Sequence, residues 1–202
     1  MAIARRRIVI LPLAAVVIGA LTLYRLNRAE RPPAAVPKSA GTVETRPAPL
    51  LAIPLADQHK NIVKLERYYG RASIVIVFFD AEAGADRDPY LTRLRDCFEQ
   101  LDDDGIEIVA ISTASRFQNQ QAEERAGKPF PFPLLSDIHP EGLSPAPIAI
   151  QFGLFDTASQ TTKTAVYLVD RAGQIAWDEG RPRPVRDPAA AVDALCRGEW
   201  PQ

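Results

Sequence analysis

Continuous apolar runs alternate in residues 50–202 with segments whose apolar residues recur at helical spacing. Residues 73–79, SIVIVFF, form an almost unbroken β-branched and aromatic run, which is typical of a strand covered on both faces. A second buried-type run occupies residues 106–111, after an intervening helical segment. Two buried strands separated by a helix predict an α/β domain with parallel strands at its centre.

The helix between these strands has a clear beginning and end. A polar loop, residues 80–88, leads from the first strand to Asp88 and Pro89, which are suited to the N-cap and to the first helical position. The acidic run and glycine at residues 102–105 should end the helix. Its apolar stripe consists of Leu91, Leu94, Phe98 and Leu101.

The remaining elements are shorter and follow in a regular order. The pattern predicts a hairpin in residues 50–65 and a turn of helix from Leu65 to Tyr69. After the second buried strand it predicts a polar helix at 115–126, a short strand within 130–137, a brief helix within 148–155, a hairpin of 165–169 with 174–177, and a last helix at 187–195.

The N-terminal fifty residues differ in composition from the rest of the chain. Residues 1–7 form a basic flank, residues 8–24 carry no charge, residues 25–49 are a proline-rich linker, and residues 50–202 form the domain. As a helix, residues 8–24 would span about 25 Å, which is the short end of the transmembrane range. A cleaved signal peptide is the alternative. The linker should act as a semi-rigid spacer.

The positive charges flanking the apolar segment are nearly balanced, so they predict its orientation only weakly. Arginines at positions 5, 6 and 7 oppose arginines at positions 25, 28 and 31, and the α-amino group adds one charge to the first set. We expect a single-pass protein of a bacterial inner membrane with its domain in the periplasm. The bilayer would be one partner, and a net charge of −1 gives no indication of nucleic-acid binding.

Four segments, in their order along the chain, resemble the alkyl hydroperoxide reductase and thiol-specific antioxidant (AhpC/TSA) family, the peroxiredoxin-like redoxins. They are VAIST at 109–113, FPLLSD at 132–137, FGL at 152–154 and YLVDRAGQI at 167–175. The resemblance covers about residues 50–180. It implies a thioredoxin-like fold, a central mixed sheet flanked by helices, here preceded by one transmembrane helix. It also implies a family activity, thiol peroxidase or antioxidant oxidoreductase.

The loop that carries the redox cysteine in this family contains no sulfur here. The family motif resembles PxxxTxxC. With Asp80 at the proline, Gly84 falls at the threonine and Arg87 at the cysteine. The family's arginine before the late hairpin falls at Thr164, next to Lys163. Covalent peroxide chemistry needs a thiolate, so the sequence predicts a degenerate active-site loop.

Cys97 and Cys196 are the chain's only cysteines and its candidate thiols. Cys97 would lie about 13 Å along the helix from Asp88, beyond the first turn where the helix dipole lowers a thiol pKa. Each cysteine could be a small buried apolar residue, or the two could form a disulfide in an oxidising compartment. His59 and His139 are isolated, and acidic residues of the loop are accounted for as helix caps, so we expect neither a metal nor a cofactor.

Two functions follow from these observations. The first is a membrane-anchored pseudoenzyme, a peroxiredoxin-like domain that has lost thiol chemistry and serves as a binding or structural module, with a protein partner at the former active-site cleft. The alternative is an active thiol peroxidase or thiol-disulfide oxidoreductase that uses Cys97, with or without Cys196.

Overall fold

The computed structural model describes residues 44–49, 54–138 and 146–201. All of them belong to one compact unit, residues 41–202. The predicted transmembrane segment, residues 8–24, most of the predicted linker, and His139 lie outside the described residues. Among the helices that are described, none is both long and apolar enough to cross a membrane.

A mixed sheet forms the centre of the domain. Its described strands are β1 Thr45–Pro47, β2 Leu55–Ala56, β3 Ile62–Val63, β4 Ser73–Phe78, β5 Ile106–Ser112, β6 Leu134–Ser136, β9 Ala165–Val169, β10 Gln174–Asp178 and β11 Arg181–Pro182. They lie in the order β1-β10-β9-β4-β5-β6-β2-β3, with β11 paired to β10. Residues Phe155–Asp156 (β7) and Thr161–Thr162 (β8) form a separate two-stranded sheet.

Strand β4 is the central strand, as its apolar run predicts. It pairs in parallel with β5, which pairs in parallel with β6, and it pairs antiparallel with β9. Alternate residues of β4 enter two different cores: Ile74, Ile76 and Phe78 face one side, and Val75 and Val77 face the other. Both faces are therefore buried, which explains why no polar position interrupts the strand.

Helices cover the two faces unequally. Their bounds are α1 Pro89–Asp96, α2 Phe98–Asp103, α3 Arg116–Ala126, α4 Pro147–Gln151 and α5 Pro188–Leu195, with a 3₁₀ helix at Leu65–Tyr68. Buried residues of α1, α2, α3 and α5 join the core of Val75 and Val77, whereas α4 and the 3₁₀ helix join the opposite core.

The single helix predicted after the loop is divided in the structure at Cys97. The backbone of Cys97 leaves the helical region, with φ −107° and ψ 15°, which ends α1 although its N–H still donates to the carbonyl of Arg93 (3.3 Å). Leu91, Leu94 and Leu101 nevertheless remain fully buried on one side, so the predicted stripe persists across the break.

Strand β1 lies in a segment whose composition predicts a linker. Thr45 to Pro47 pair antiparallel with Ala176 to Gln174 at the edge of the sheet, a position that accepts proline. The strand forms only through pairing with β10, which lies far away in the sequence, so the local composition does not predict it. The hairpin of β2 and β3 and the late hairpin of β9 and β10 have the predicted order.

Candidate functional site

The 80–88 loop follows β4 directly and is folded into consecutive turns. The N–H of Gly84 donates to the carbonyl of Asp80 (3.0 Å), and that of Arg87 donates to the carbonyl of Gly84 (3.1 Å). The Asp80 carboxylate accepts the N–H of Glu82 at 2.9 Å. The loop therefore has defined backbone geometry, although no side chain in it carries sulfur.

A two-pronged ion pair joins this loop to α3. Arg125 donates from Nε to Asp86 Oδ2 (3.1 Å) and from Nη2 to Asp86 Oδ1 (2.7 Å). These hydrogen bonds lower the pKa of Asp86. The sequence pattern assigns Asp86 to helix capping and gives no sign of this partner, which lies 39 residues further along the chain.

Gly84 lies buried beneath this ion pair. Its φ of +84° is in the region that L-residues avoid, and a Cβ there would stand 2.8 Å from Asp86 Oδ1 and 3.0 Å from Arg125 Nη2. A threonine at this position would be strained by the positive φ, and its Cβ would have to displace the paired side chains of Asp86 and Arg125.

Asp88 occupies the N-terminus of α1, as predicted. Its Oδ1 accepts the backbone N–H groups of Tyr90 (2.9 Å) and Leu91 (3.0 Å). The side chain is buried, and desolvation raises the pKa of this carboxyl despite the two hydrogen bonds. The N–H groups with which a helix N-terminus would stabilise a thiolate are thus bonded to a carboxylate.

Arg87 and Thr164, the other two residues of the predicted site, are exposed. Thr164 precedes β9, and the pairing of Ala165 with Phe78 places it at the end of β4 from which the loop departs. Thr164 and the loop that contains Gly84 and Arg87 therefore lie at the same end of the sheet. The exposed Lys163 is held by a backbone bond from its N–H to the carbonyl of Leu154 (3.0 Å).

Cys97 and Cys196 are joined in a disulfide, with their Cα atoms 5.5 Å apart. Cys97 lies between α1 and α2, and Cys196 follows the last residue of α5. Of the arrangements that the sequence left open, the structure contains the disulfide. The pair lies away from the 80–88 loop, because all of α1 separates Cys97 from Asp88.

A buried carboxylate at Asp137 was not recognised from the sequence. Its two oxygens accept the N–H groups of Ile148 (3.1 Å each) and Ala149 (2.8 Å), so it caps α4. Burial raises the pKa of this carboxyl. Two features of the sequence could have indicated this cap. Asp137 directly follows the strand β6, and the next helix begins with Pro147, a residue favoured at the first helical position.

A groove of about 420 Å³ lies between the β2–β3 turn and residues 130–133. Gln58 lines the groove and is hydrogen-bonded to the opposite segment. Its Oε1 accepts the N–H of Leu134 (2.8 Å), and its Nε2 donates to the carbonyl of Phe132 (3.4 Å). His59 Nε2 lies 3.5 Å from Glu123 Oε2 at its rim. In the part of the chain that the structure describes, no three histidine, cysteine or acidic side chains are arranged to hold a metal ion.

Comparison with known proteins identifies the architecture. The sequence model of the AhpC/TSA family matches residues 45–178. The fold is similar to that of a PrxQ mutant from Xylella fastidiosa (TM-score 0.57, 16% identity, 80% of this chain and 96% of that one). It is also similar to the peroxidoxin BcpB of Mycobacterium tuberculosis (TM-score 0.51, 21% identity, 80% and 97%) and a thiol peroxidase of Chromobacterium violaceum (0.50, 22%, 76% and 86%).

These solved structures establish a peroxiredoxin-like thioredoxin fold and nothing about activity, because their identity to this chain is low. No curated protein sequence matches this one.

Proposed function

The chain belongs to the AhpC/TSA family, and from this premise we propose that it is a membrane-anchored member that has lost peroxidase chemistry at the family's loop and acts as a binding or structural module. The former active-site end of the sheet would recognise a protein partner. The strand, loop and helix of the family's site are retained, and the cysteine sulfur that would react with peroxide is absent from the loop.

The arrangement at the start of α1 carries this proposal. A peroxidatic thiolate at position 87 would need the N–H groups of the first helical turn, and Asp88 already accepts those of Tyr90 and Leu91. A thiolate beside the Asp88 carboxylate would also meet a like charge, which raises a thiol pKa. Gly84 lacks the hydroxyl of the motif's threonine, and Thr164 lacks the guanidinium of the family's arginine.

The exposed surface of the same end favours recognition of a protein. Asp80, Glu82, Arg87, Lys163 and Thr164 are all exposed, on backbone that turns and strand pairing fix in place. A hydrogen-bonded loop that presents charges of both signs is suited to selecting a partner through electrostatic complementarity.

A peroxide assay of the full chain tests the loss of catalysis. We expect no turnover of hydrogen peroxide with reduced thioredoxin above that of a Cys97→Ser, Cys196→Ser control. The variant Arg87→Cys restores sulfur at the family position, and we expect at most weak turnover from it for the reasons above. Brisk turnover by Arg87→Cys would show that the loop has kept its catalytic surroundings.

The second candidate function is a thiol peroxidase that uses Cys97, and the proximity of the two cysteines favours it. In the reduced protein a peroxide would oxidise the Cys97 thiolate to a sulfenic acid, with cleavage of the O–O bond and release of water or an alcohol. The sulfenic acid would then condense with the Cys196 thiol, releasing water and forming the disulfide. The same assay separates the candidates. Turnover by the wild-type chain that Cys97→Ser alone abolishes would establish this second function and refute the first.

Membrane anchoring through residues 8–24 is part of the proposal, and so is a periplasmic domain. The uncharged length of the segment supports the first. The disulfide supports the second, because such bonds persist in oxidising compartments.

Fractionation of cells tests this topology. We expect the full chain to stay with membranes through a carbonate wash, and protease added to spheroplasts to digest the domain. Recovery of a soluble form that begins after Ala20 would instead identify residues 8–24 as a signal peptide.

A further inference from the structure

The Cys97–Cys196 disulfide lies outside the 80–88 loop and has no role in the proposed binding function. We propose that these cysteines form a redox modification site, which exchanges with small thiols of the glutathione class while the domain stays folded. The inference rests on the position of the pair and on the contacts that hold α5, and it needs no peroxide chemistry.

Neither cysteine of the disulfide is fully buried. Both cysteines are partly exposed at the edge of the core shared by α1 and α5. The charged side chains next to them in sequence, Asp96 and Arg197, are more than half exposed. We therefore expect an incoming thiolate to reach a sulfur atom through local motion of these surface side chains, without global unfolding.

Helix α5 has a set of contacts that do not depend on the disulfide. Ala191, Val192 and Leu195 are buried, and Val192 and Leu195 belong to the core that also contains Val75 and Val77 of β4. Arg93 Nε donates to Asp193 Oδ1 at 3.1 Å, which links α1 to α5.

The start of α5 is fixed independently of the cysteines as well. Asp187 Oδ1 caps the helix by accepting the N–H of Ala190 at 3.0 Å. Reduction should therefore leave α5 docked, and the two thiols should remain close enough to form the bond again.

The exchange proceeds in two thiol–disulfide steps. A thiolate RS⁻ attacks one Sγ, the protein S–S bond breaks, and the other cysteine leaves as a thiolate that takes a proton from solvent. A second RS⁻ then attacks the sulfur of R in the mixed disulfide, which yields RSSR and frees the second cysteine as a thiolate that also takes a proton from solvent. Two thiols are oxidised and one disulfide is reduced, and RSSR drives the reverse reaction.

Reduction kinetics of the full chain in detergent test the proposal. The protein is mixed with reduced glutathione or dithiothreitol, free thiols are labelled with a maleimide at intervals, and the rate is compared with that in guanidinium chloride. We expect the native rate to be within about tenfold of the denatured rate. A bond that reacts only in unfolded molecules would be reduced about 10³- to 10⁸-fold more slowly in the native protein, which would overturn the inference.

Reversibility and integrity of α5 are measured on the same samples. After oxidised glutathione is added, the intramolecular disulfide should form again without dimers, and amide hydrogen exchange in α5 should keep most of its protection in the reduced state. Loss of that protection would show that the bond is required to dock α5 and would overturn the inference.

Single variants identify the intermediate. In Cys97→Ser or Cys196→Ser the remaining thiol should exchange with oxidised glutathione, forming a stable mixed disulfide and releasing reduced glutathione, and a lack of reaction in both folded variants would overturn the inference. If neither variant folds, the native reduction rate of the wild-type chain decides alone. A negative peroxide assay leaves this result unaffected, so the two proposals fail separately.

Discussion

At the scale of single residues, Asp88 stabilises the start of α1 beside position 87, where the family motif has its cysteine. Asp88 is a buried carboxylate that satisfies two N–H groups of α1. An N-cap of this kind contributes typically about 1 kcal/mol, so Asp88→Ala should lower the free energy of unfolding by about 0.5–2 kcal/mol. Guanidinium denaturation measures the change. Asp88→Asn is the matched control, because its amide oxygen can accept both bonds.

The pH dependence of this pair of variants tests the protonation of Asp88. Burial raises the pKa of Asp88 above its ordinary 3.8, so the folded protein binds this proton more tightly than the unfolded chain does. The resulting stability is present below pH 3.8 and is lost as the pH rises through the folded-state pKa. Asp88→Asn does not titrate, so it should gain stability relative to wild type over that interval, and a constant difference would refute the assignment.

At the scale of elements, the contact between the loop and α3 fixes the shape of the site. Gly84→Ala should cost about 1–2 kcal/mol from its positive φ alone, and more because its Cβ would press on Asp86 and Arg125. Gly70→Ala is the control, since Gly70 has a φ of +74° and a Cβ added there would meet no atom within 4 Å. Equal losses of unfolding free energy in the two variants would mean that the Asp86–Arg125 ion pair can move aside without a cost in free energy.

The elements also show what the sequence could and could not provide. The apolar run of β4, the stripe of α1 and α2, and the cap at Asp88 were predictable because each depends on neighbours in the chain. Strand β1 and the Asp86–Arg125 pair depend on partners distant in sequence, so no local pattern contained them. Of the site, the family motif assigns positions 84, 87 and 164 by alignment, and that assignment stays a prediction. The sulfur pairing was left open, because two cysteines do not determine a bond.

At the scale of the whole molecule, the disulfide connects two helices that lie far apart in the chain. Its cysteines are separated by 99 positions, so the bond closes a loop that includes most of the sheet. It removes conformational freedom from the unfolded chain. The contacts that hold α5 in the native state do not depend on this effect. The reduced protein should therefore stay folded but be less stable than the oxidised protein.

Denaturation of the oxidised and the reduced wild-type chain tests whether the disulfide stabilises the fold in this way. Closing a loop of this length stabilises a protein by up to about 4.7 kcal/mol in the chain-entropy model, and by about 2–4 kcal/mol in typical measurements. We therefore expect reduction to lower the denaturation midpoint and to increase the denaturant dependence, because the unfolded chain becomes more expanded. A Cys97→Ser, Cys196→Ser variant should match the reduced protein with and without reductant. Identical midpoints for the oxidised and reduced chains would show that the cross-link contributes nothing to the fold.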